Sequence, residues 1–162
     1  MKTIVVGFEE SAAAERALGR AADFAETFGA RIFVVCVGRP PHLAVPIPAL
    51  EPADVLVPAS AGAAPTVGGP PPAAEASWLG PEELAQQQLE RARTLLANRR
   101  VEADYVCEVG DPADRLLDIA DRNDADLIVV GSREHGLLGR LLARPVDETV
   151  ARRAARDVLL VH

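Results

Sequence analysis

The carboxyl-terminal stretch, residues 126–162, constrains the fold more than any other part of the chain and reads DLIVVGSREHGLLGRLLARPVDETVARRAARDVLLVH. An apolar run at 127–130 stops at Gly131, a loop with several Gly and Arg residues follows, a helical pattern starts at Val146, and a second apolar run occupies 158–161. Strand, glycine turn, helix and strand in this order predict a βαβ unit. The helix start of such a unit can hold a phosphate group.

Apolar runs and helical patterns alternate along the rest of the chain as well. Strands are predicted at residues 3–8, 31–37 and 101–109, and helices at residues 12–28, 81–98 and 112–122. Ser11 and Asp111 stand directly before two of these helices, where side-chain oxygens accept hydrogen bonds from the first helical N–H groups. The alternation predicts an α/β fold with an open, doubly wound, five-stranded parallel sheet and helices on both faces. Ligands of such sheets bind beyond the carboxyl ends of the strands.

Two further expectations concern burial. The helix at 81–98 is expected to have one apolar side, formed by Leu84, Ala85, Leu89, Ala92, Leu95 and Leu96. Cys36 and Cys107 lie in apolar strand-like runs and are expected to be small buried side chains, because no CxxC spacing supports a redox pair.

Residues 38–80 interrupt the alternation. Eleven of the thirteen prolines fall between Pro40 and Pro81, and proline disfavours both regular helices and central strands. The chain is therefore predicted to be a single domain over residues 1–162 with a proline-rich insertion at 38–80. Because the insertion also carries apolar residues such as Leu43 and Trp78, two interpretations stay open. It is either a loose surface excursion or an arm that covers the strand ends or clasps a protein partner.

Composition limits the classes of function. A length of 162 residues suits one domain, and the formal net charge of −7 argues against nucleic-acid binding, which needs a basic face. No apolar run approaches the ~20 residues of a membrane span, and the amino terminus lacks the pattern of a signal peptide. We therefore expect a cytoplasmic protein without membrane or nucleic-acid partners.

Three stretches carry a resemblance to a known family. They are VVGFEES near the amino terminus, VGDPADRLLDIADRNDADLIVVGSRE in the second half and DETVARRAARDVLLVH at the end. They are similar to the first strand, to the third helix with the fourth strand, and to the last helix with the last strand of the universal stress protein family. The resemblance covers nearly the whole chain outside 38–80. It implies the same open α/β sheet that the periodicity predicts.

The nucleotide motif of that family is changed in this chain. Members that bind ATP carry glycine, two residues, glycine, nine residues, then glycine and Ser or Thr. With Val146 in register, Gly131 matches the first glycine, Glu134 and Arg144 replace the other two, and Pro145 replaces the Ser or Thr. The resemblance assigns the nucleotide positions to Gly7, Phe8, Glu9, Val37, Val130, Gly131, Arg133, Glu134, Arg144, Pro145 and Val146.

These replacements favour loss of ATP binding. A carboxylate at Glu134 would repel a phosphate ~4 Å away by several kcal/mol, and Pro145 lacks both the N–H and the hydroxyl of the residue that it replaces. Glu9 stands where binding members have an Asp. Arg144 works in the opposite direction, because a guanidinium can bind phosphate through two hydrogen bonds. Three alternatives therefore remain: no cofactor, ATP or AMP in an altered cradle around Gly131 and Arg144, or another anionic ligand.

Enzymatic chemistry has little support in the sequence. The three histidines are scattered without metal-ligand spacing, so no metal site is expected. Ser132, Glu134 and His135 offer a nucleophile, an orienting group and a base on paper, but no GxSxG turn surrounds them. We therefore expect that the protein is not an enzyme.

The carboxyl-terminal arginines have a structural interpretation. Arg152, Arg153 and Arg156 are expected to lie at the end of the last helix, where cations complement the helix dipole, rather than to form a nucleic-acid patch.

The last strand is predicted to lie at an edge of the sheet. An apolar edge such as residues 158–161 needs covering or pairing, and in the family that the chain resembles, the last strands of two subunits commonly pair. We expect a homodimer through residues 157–162. The resulting hypothesis is a non-enzymatic dimeric stress-response module that does not bind ATP, with a nucleotide-binding sensor as the alternative.

Overall fold

The computed structural model describes residues 1–39, 80–132 and 146–162. Strands and helices follow one another there in the predicted order, and their ends differ from the predicted ones by at most two residues. The elements are β1 (Thr3–Gly7), α1 (Ala12–Phe28), β2 (Arg31–Gly38), α2 (Pro81–Leu96), β3 (Glu102–Val109), α3 (Pro112–Arg122), β4 (Leu127–Gly131), α4 (Val146–Arg153) and β5 (Asp157–Val161). Within these three ranges, no helix combines the length and the apolar character that crossing a bilayer requires.

The five strands form one parallel sheet in the order β3-β2-β1-β4-β5. The chain starts at the centre with β1, builds outward to β3, and then crosses back to add β4 and β5 on the other side. The predicted α/β fold with a doubly wound five-stranded sheet is thereby confirmed. The order in which the chain adds strands reverses between β1 and β4. This reversal opens a crevice at the carboxyl ends of the strands, which is where such sheets bind ligands.

Alternating side chains of the strands fill two separate core layers. In β1, Ile4 and Val6 pack under α1 and α2, whereas Val5 packs under α3 and α4. This division follows from the period of two along a strand. Because apolar residues face both ways, the strands read as continuous apolar runs in the sequence.

The apolar side of α2 is narrower than predicted. Ala85, Leu89, Ala92 and Leu96 are buried, but Leu84 and Leu95 remain 47% and 43% exposed. The prediction was wrong for these two leucines because helical spacing identifies a stripe without showing how much of it the sheet covers. Leu84 instead lies at the carboxyl edge of the sheet.

Side-chain caps fix where two helices begin. The Ser11 hydroxyl accepts a hydrogen bond from the Ala14 N–H at 3.1 Å, and one Asp111 oxygen accepts from the N–H groups of Ala113 and Asp114 at 3.0 and 3.1 Å. Each cap contributes about 1 kcal/mol. Both caps were predicted, and both hold a helix start at the carboxyl edge of the sheet, next to the crevice.

Two of the three carboxyl-terminal arginines lie where the sequence predicted them: Arg152 and Arg153 are in the last turn of α4, and only the prediction for Arg156 needs correction. Helix α4 ends at Arg153, and the Arg153 guanidinium contacts Asp114 at 2.5 Å. Arg156 lies beyond the helix and donates to the carbonyls of Ala120 and Ala125 at 2.8 and 2.7 Å. Arg156 therefore complements the carboxyl end of α3 and not that of its own helix.

Candidate functional site

A cavity of about 300 Å³ opens at the carboxyl edge of the sheet, above β1, β2 and β4. The strand ends form its floor, and the first turns of α2, α3 and α4 stand around it. This location is the one that the reversal of strand order predicts. The volume lies at the lower end of the range for small-molecule pockets, which is roughly 300–1,000 Å³.

Seven of the eleven nucleotide positions assigned by resemblance line this cavity. They are Gly7, Phe8, Glu9, Val37, Val130, Gly131 and Val146. The chain separates these residues widely, and the sheet topology brings them together at one edge. The other four, Arg133, Glu134, Arg144 and Pro145, lie outside the described residues, as does His135.

Several lining residues were not predicted. Among them are Arg39, Pro81, Leu84, Gln88, Pro112 and Leu116. A signal for some of them was present in the sequence: Pro81 and Pro112 open helices that follow strands, and every such helix start lies at the carboxyl edge of a parallel sheet. Gln88 and Leu116 lie within helices, where a position toward the cavity depends on how the helix is rotated against the sheet.

The walls of the cavity are mainly apolar. Phe8, Val130 and Leu116 are each 3% exposed, so their side chains are fixed by packing. Polar groups come from Glu9, Arg39 and Gln88, and the Ser11 hydroxyl donates to Glu9 Oε1 at 3.3 Å. Apolar walls with a few polar groups are typical of small-molecule pockets.

The two ends of the 38–80 insertion meet at the rim of this cavity. A β-carbon built on Gly38 would lie 2.0 Å from the carbonyl oxygen of Pro81, so only glycine allows the end of β2 to approach the start of α2 so closely. The Gly38 carbonyl also accepts from the Gly110 N–H at 3.0 Å. The chain therefore leaves and rejoins the sheet at a single point beside the site.

Ser132, which follows β4, forms a hydrogen bond with Asp147 in the first turn of α4. The Ser132 hydroxyl donates to Asp147 Oδ2 at 2.6 Å, and the Glu148 N–H donates to Asp147 Oδ1 at 3.0 Å. Both Ser132 and Asp147 are buried, and the Ser132 N–H donates to the Val161 carbonyl at 2.8 Å. A carboxylate thus lies at the start of α4 and accepts a hydrogen bond from one N–H group of the first helical turn.

This contact changes the interpretation of Ser132. Its hydroxyl is committed to Asp147, whereas Glu134 and His135, the partners considered from the sequence, lie outside the described residues. Among the residues that the structure describes, no three His, Cys, Asp or Glu side chains converge as metal ligands.

The cysteines lie in the core layer under α1 and α2, below the cavity. Cys36 and Cys107 are register partners on β2 and β3. Cys36 is fully buried, and this burial raises the pKa of its thiol to about 12. Cys107 is only partly buried, which corrects the expectation for this residue, and burial is also the main cause that raises its pKa.

The fold and the site define an α/β protein with a small-molecule cavity at the strand ends. This chain belongs to the universal stress protein family, whose sequence pattern it matches over residues 1–162. It is 32% identical over 164 aligned residues to the universal stress protein Rv1636 of Mycobacterium tuberculosis, an alignment that covers 99% of this chain and 96% of that protein. The family resemblance seen in the sequence is thereby confirmed.

Solved structures share the fold over the full length. A universal stress protein crystallised in complex with cAMP matches with a TM-score of 0.66 and 26% identity, covering 99% of this chain and 97% of that one. The Archaeoglobus fulgidus universal stress protein in complex with dAMP matches with a TM-score of 0.62 and 22% identity, covering 100% and 98% of the two chains.

Proposed function

We propose that this universal stress protein is a non-enzymatic, dimeric stress-response module that does not bind ATP. The observation that carries the proposal is the Asp147 carboxylate at the start of α4, held by Ser132 at 2.6 Å and by the Glu148 N–H at 3.0 Å. The ATP-binding motif that the chain resembles places its phosphate donors at this helix start. In this chain, the negative charge at the helix start comes from the Asp147 side chain instead of from a bound phosphate.

Two effects follow for a polyphosphate. A second negative charge ~4 Å from the carboxylate is repelled by about 4 kcal/mol at the effective dielectric of a protein surface. In addition, the helix N–H that Asp147 occupies is withdrawn from the small set of free donors at a helix start. Glu148 adds a further carboxylate in the same turn. These effects agree with the replacements at Glu134 and Pro145 in the sequence.

Calorimetric titration of nucleotide-stripped protein with ATP and Mg²⁺ tests the proposal directly. We expect no saturable heat at high protein concentration. One-site saturable binding of ATP would overturn the proposal, whereas AMP is titrated in parallel to detect a weaker adenylate site.

A second candidate function is a nucleotide sensor with an altered cradle around Gly131 and Arg144. The observation in its favour is the cavity itself, which the seven described nucleotide positions line. A relative of the same fold, 26% identical, was solved with cAMP. If AMP or ATP binds, Arg144→Ala should abolish the binding, and unchanged affinity in that variant would exclude this cradle.

The dimer proposal rests on β5, which occupies one edge of the sheet. Its residues Val158, Leu159, Leu160 and Val161 are only partly buried although all are apolar. An unpaired apolar edge strand is an aggregation hazard unless a partner covers it. Pairing with the same strand of a second copy satisfies this requirement symmetrically.

Substitution within β5 tests the dimer. The Val161 carbonyl points toward β4, since it accepts from the Ser132 N–H, so the Leu160 N–H points away from β4. Leu160→Pro removes an outward donor and should give a monomer by light scattering, whereas Leu160→Ala keeps the donor and should remain dimeric. A wild-type monomer would contradict the proposal.

The proline-rich insertion is proposed to contact a protein partner, as the sequence suggested. Support comes from its attachment: Gly38 and Pro81 place both of its ends beside the cavity. A partner bound there would be adjacent to any ligand in the site.

A further inference from the structure

Cys36 and Cys107 lie side by side on neighbouring strands, although they are far apart in the chain. They are register partners in the parallel pairing of β2 with β3, so their Cα atoms are about one strand spacing apart, ~4.8 Å. Both side chains lie in the core layer under α1 and α2. Because the Cα atoms of disulfide-bonded cysteines are about 4.4–6.8 Å apart, the sheet holds the two thiols at a separation that a disulfide can span.

The two thiols differ in their access to solvent. Cys36 is fully buried, whereas Cys107 is partly exposed. Cys107 Sγ donates to the carbonyl of Glu82, in the first turn of α2, at 3.7 Å. Strand β3 lies at an edge of the sheet, so a small adjustment toward β2 alters one strand pairing among the described elements. One thiol can therefore meet a small reagent from solvent, and the other can react with its neighbour.

We propose that Cys36 and Cys107 form a redox-active dithiol, which a peroxide oxidises to an intramolecular disulfide. The lack of CxxC spacing does not argue against this pairing, because strand register and not sequence spacing brings the two side chains together. The pair lies in the core layer below the cavity, and its oxidation requires no ligand in the cavity.

The oxidation takes place in two steps. In the first, the Cys107 thiolate attacks one peroxide oxygen and the O–O bond breaks. Cys107 becomes a sulfenic acid, and the other oxygen takes up the proton that the thiol has lost and leaves as water or an alcohol. In the second, the Cys36 sulfur attacks the Cys107 sulfur, the S–O bond breaks, and the hydroxyl leaves as water with the Cys36 proton. Two thiols thus lose two hydrogens while one peroxide is reduced, and a dithiol reductant reverses the bond by exchange.

The surroundings of the thiols set the rate of each step. Burial raises the pKa of Cys36 to about 12, with the neighbouring Cys107 as the second cause. Burial, followed by the charges of Glu82 and Glu108, raises the pKa of Cys107. Because the thiolate is the reactive form, the first step is slow at neutral pH and needs sustained exposure to peroxide. The second step is favoured by proximity, since a fixed neighbour reacts at a high effective concentration.

Intact mass spectrometry of the full chain tests the proposal. The folded protein is treated with hydrogen peroxide at about pH 8, where more thiol is ionised than at neutrality, and is then alkylated after denaturation. We expect wild type to lose the mass of two hydrogen atoms, to take up no alkylating reagent and to recover both thiols with dithiothreitol. If wild type keeps two thiols, gains oxygen atoms at Cys107 or becomes linked to a second chain, the inference is overturned.

A shifted cysteine separates native geometry from general reactivity. The double variant Cys107→Ser, Val106→Cys moves the thiol by one residue, to the face of β3 that packs in the core layer under α3 and α4. Cys36 faces the other layer, so no disulfide should form under the same treatment. An equal yield of disulfide in this variant and in wild type would show that the bond forms in unfolded chains and would refute the proposal.

Thermal unfolding shows whether the bond fits the folded sheet. The disulfide closes a long loop that contains residues 38–80 and α2, and such a cross-link stabilises a protein mainly by restricting its unfolded chain. Oxidised wild type should therefore unfold at a higher temperature than reduced wild type, whereas the same treatment of Cys36→Ser should give no such rise. A lower midpoint for oxidised wild type would mean that the bond distorts the sheet, contrary to the proposal.

Discussion

Gly131 and Ala13 touch backbone to backbone, because a β-carbon on Gly131 would lie 2.6 Å from the carbonyl carbon of Ala13. The same atom would lie 2.7 Å from the amide nitrogen of Ala14. Real β-carbons do not come this close to a backbone, so the end of β4 and the first turn of α1 require glycine at this position. The first glycine of the nucleotide motif therefore has a structural reason that does not depend on any ligand.

Gly131→Ala is expected to destabilise the protein, and this effect does not depend on a ligand. Overpacking against backbone atoms costs about 1–3 kcal/mol, measurable as a lower midpoint of urea unfolding. Gly19→Ala is the matched control, because Gly19 lies within α1 and an added β-carbon there meets no atom within 4 Å. That control should be neutral or stabilising by up to about 1 kcal/mol. Equal midpoints for Gly131→Ala and wild type would contradict the contact.

Much of the fold was predictable because its determinants are local. Ser11 and Asp111 cap helices through N–H groups two or three residues away, and such short-range patterns are legible in the sequence. Gly131 was identified by resemblance, but the need for it comes from α1, which is distant in the chain. The contact of Ser132 with Asp147 also depends on how β4 and α4 come together in space. Sequence spacing alone does not supply that information.

The wrong predictions for Arg156 and Leu84 arise because sequence spacing does not show how the elements pack in space. Arg156 was assigned to the end of its own helix, but the helix stops at Arg153 and Arg156 reaches the carbonyl of Ala120 in α3. Leu84 has helical spacing appropriate for the core, yet it stands beyond the area that the sheet covers. In both cases, the tertiary structure determines the surroundings of the side chain, and the sequence pattern does not distinguish between the alternatives.

Replacing residues 40–79 by a linker of ~4 Gly and Ser residues is expected to leave the described fold intact. Gly38 and Pro81 are already in backbone contact, so a short connection can join their neighbours Arg39 and Gly80. Shortening the loop about tenfold lowers the entropic cost of closing it. This change should raise the free energy of unfolding by up to about 2 kcal/mol. Cooperative thermal unfolding at an equal or higher temperature checks this expectation. A less stable variant would show that the insertion contributes packing to the sheet.

The two thiols are expected to differ in reactivity. Burial raises the pKa of Cys36 to about 12, so at about pH 8 its thiol stays protonated and the reactive thiolate is rare. Cys107 is also shifted upward by burial, but it is partly exposed. Labelling with an aromatic disulfide reagent should modify Cys107 in the folded Cys36→Ser variant. In the Cys107→Ser variant, Cys36 should react only as the protein unfolds, and fast labelling there would refute its burial.

Asp126 should make the stability of the protein depend on pH. It lies at the amino-terminal ends of β1 and β4, away from the cavity. Its Oδ2 accepts from the N–H groups of Lys2 and Thr3 at 2.6 and 3.0 Å, and these hydrogen bonds lower its pKa. Because the pKa is lower in the folded state than in the unfolded state, the stabilisation is present above the unfolded value. It is lost as the pH falls through the folded value.

Asp126→Asn should therefore unfold at lower urea concentration than wild type at about pH 7, because a neutral amide accepts these hydrogen bonds more weakly. The difference should shrink as the pH falls below about 4, because the carboxyl of the unfolded chain takes up its proton there while the folded one stays charged to lower pH. Asp157→Asn is the matched control, since Asp157 is an exposed carboxyl at the start of β5. A difference between Asp126→Asn and wild type that stays constant down to about pH 3 would contradict the assigned role of the charge.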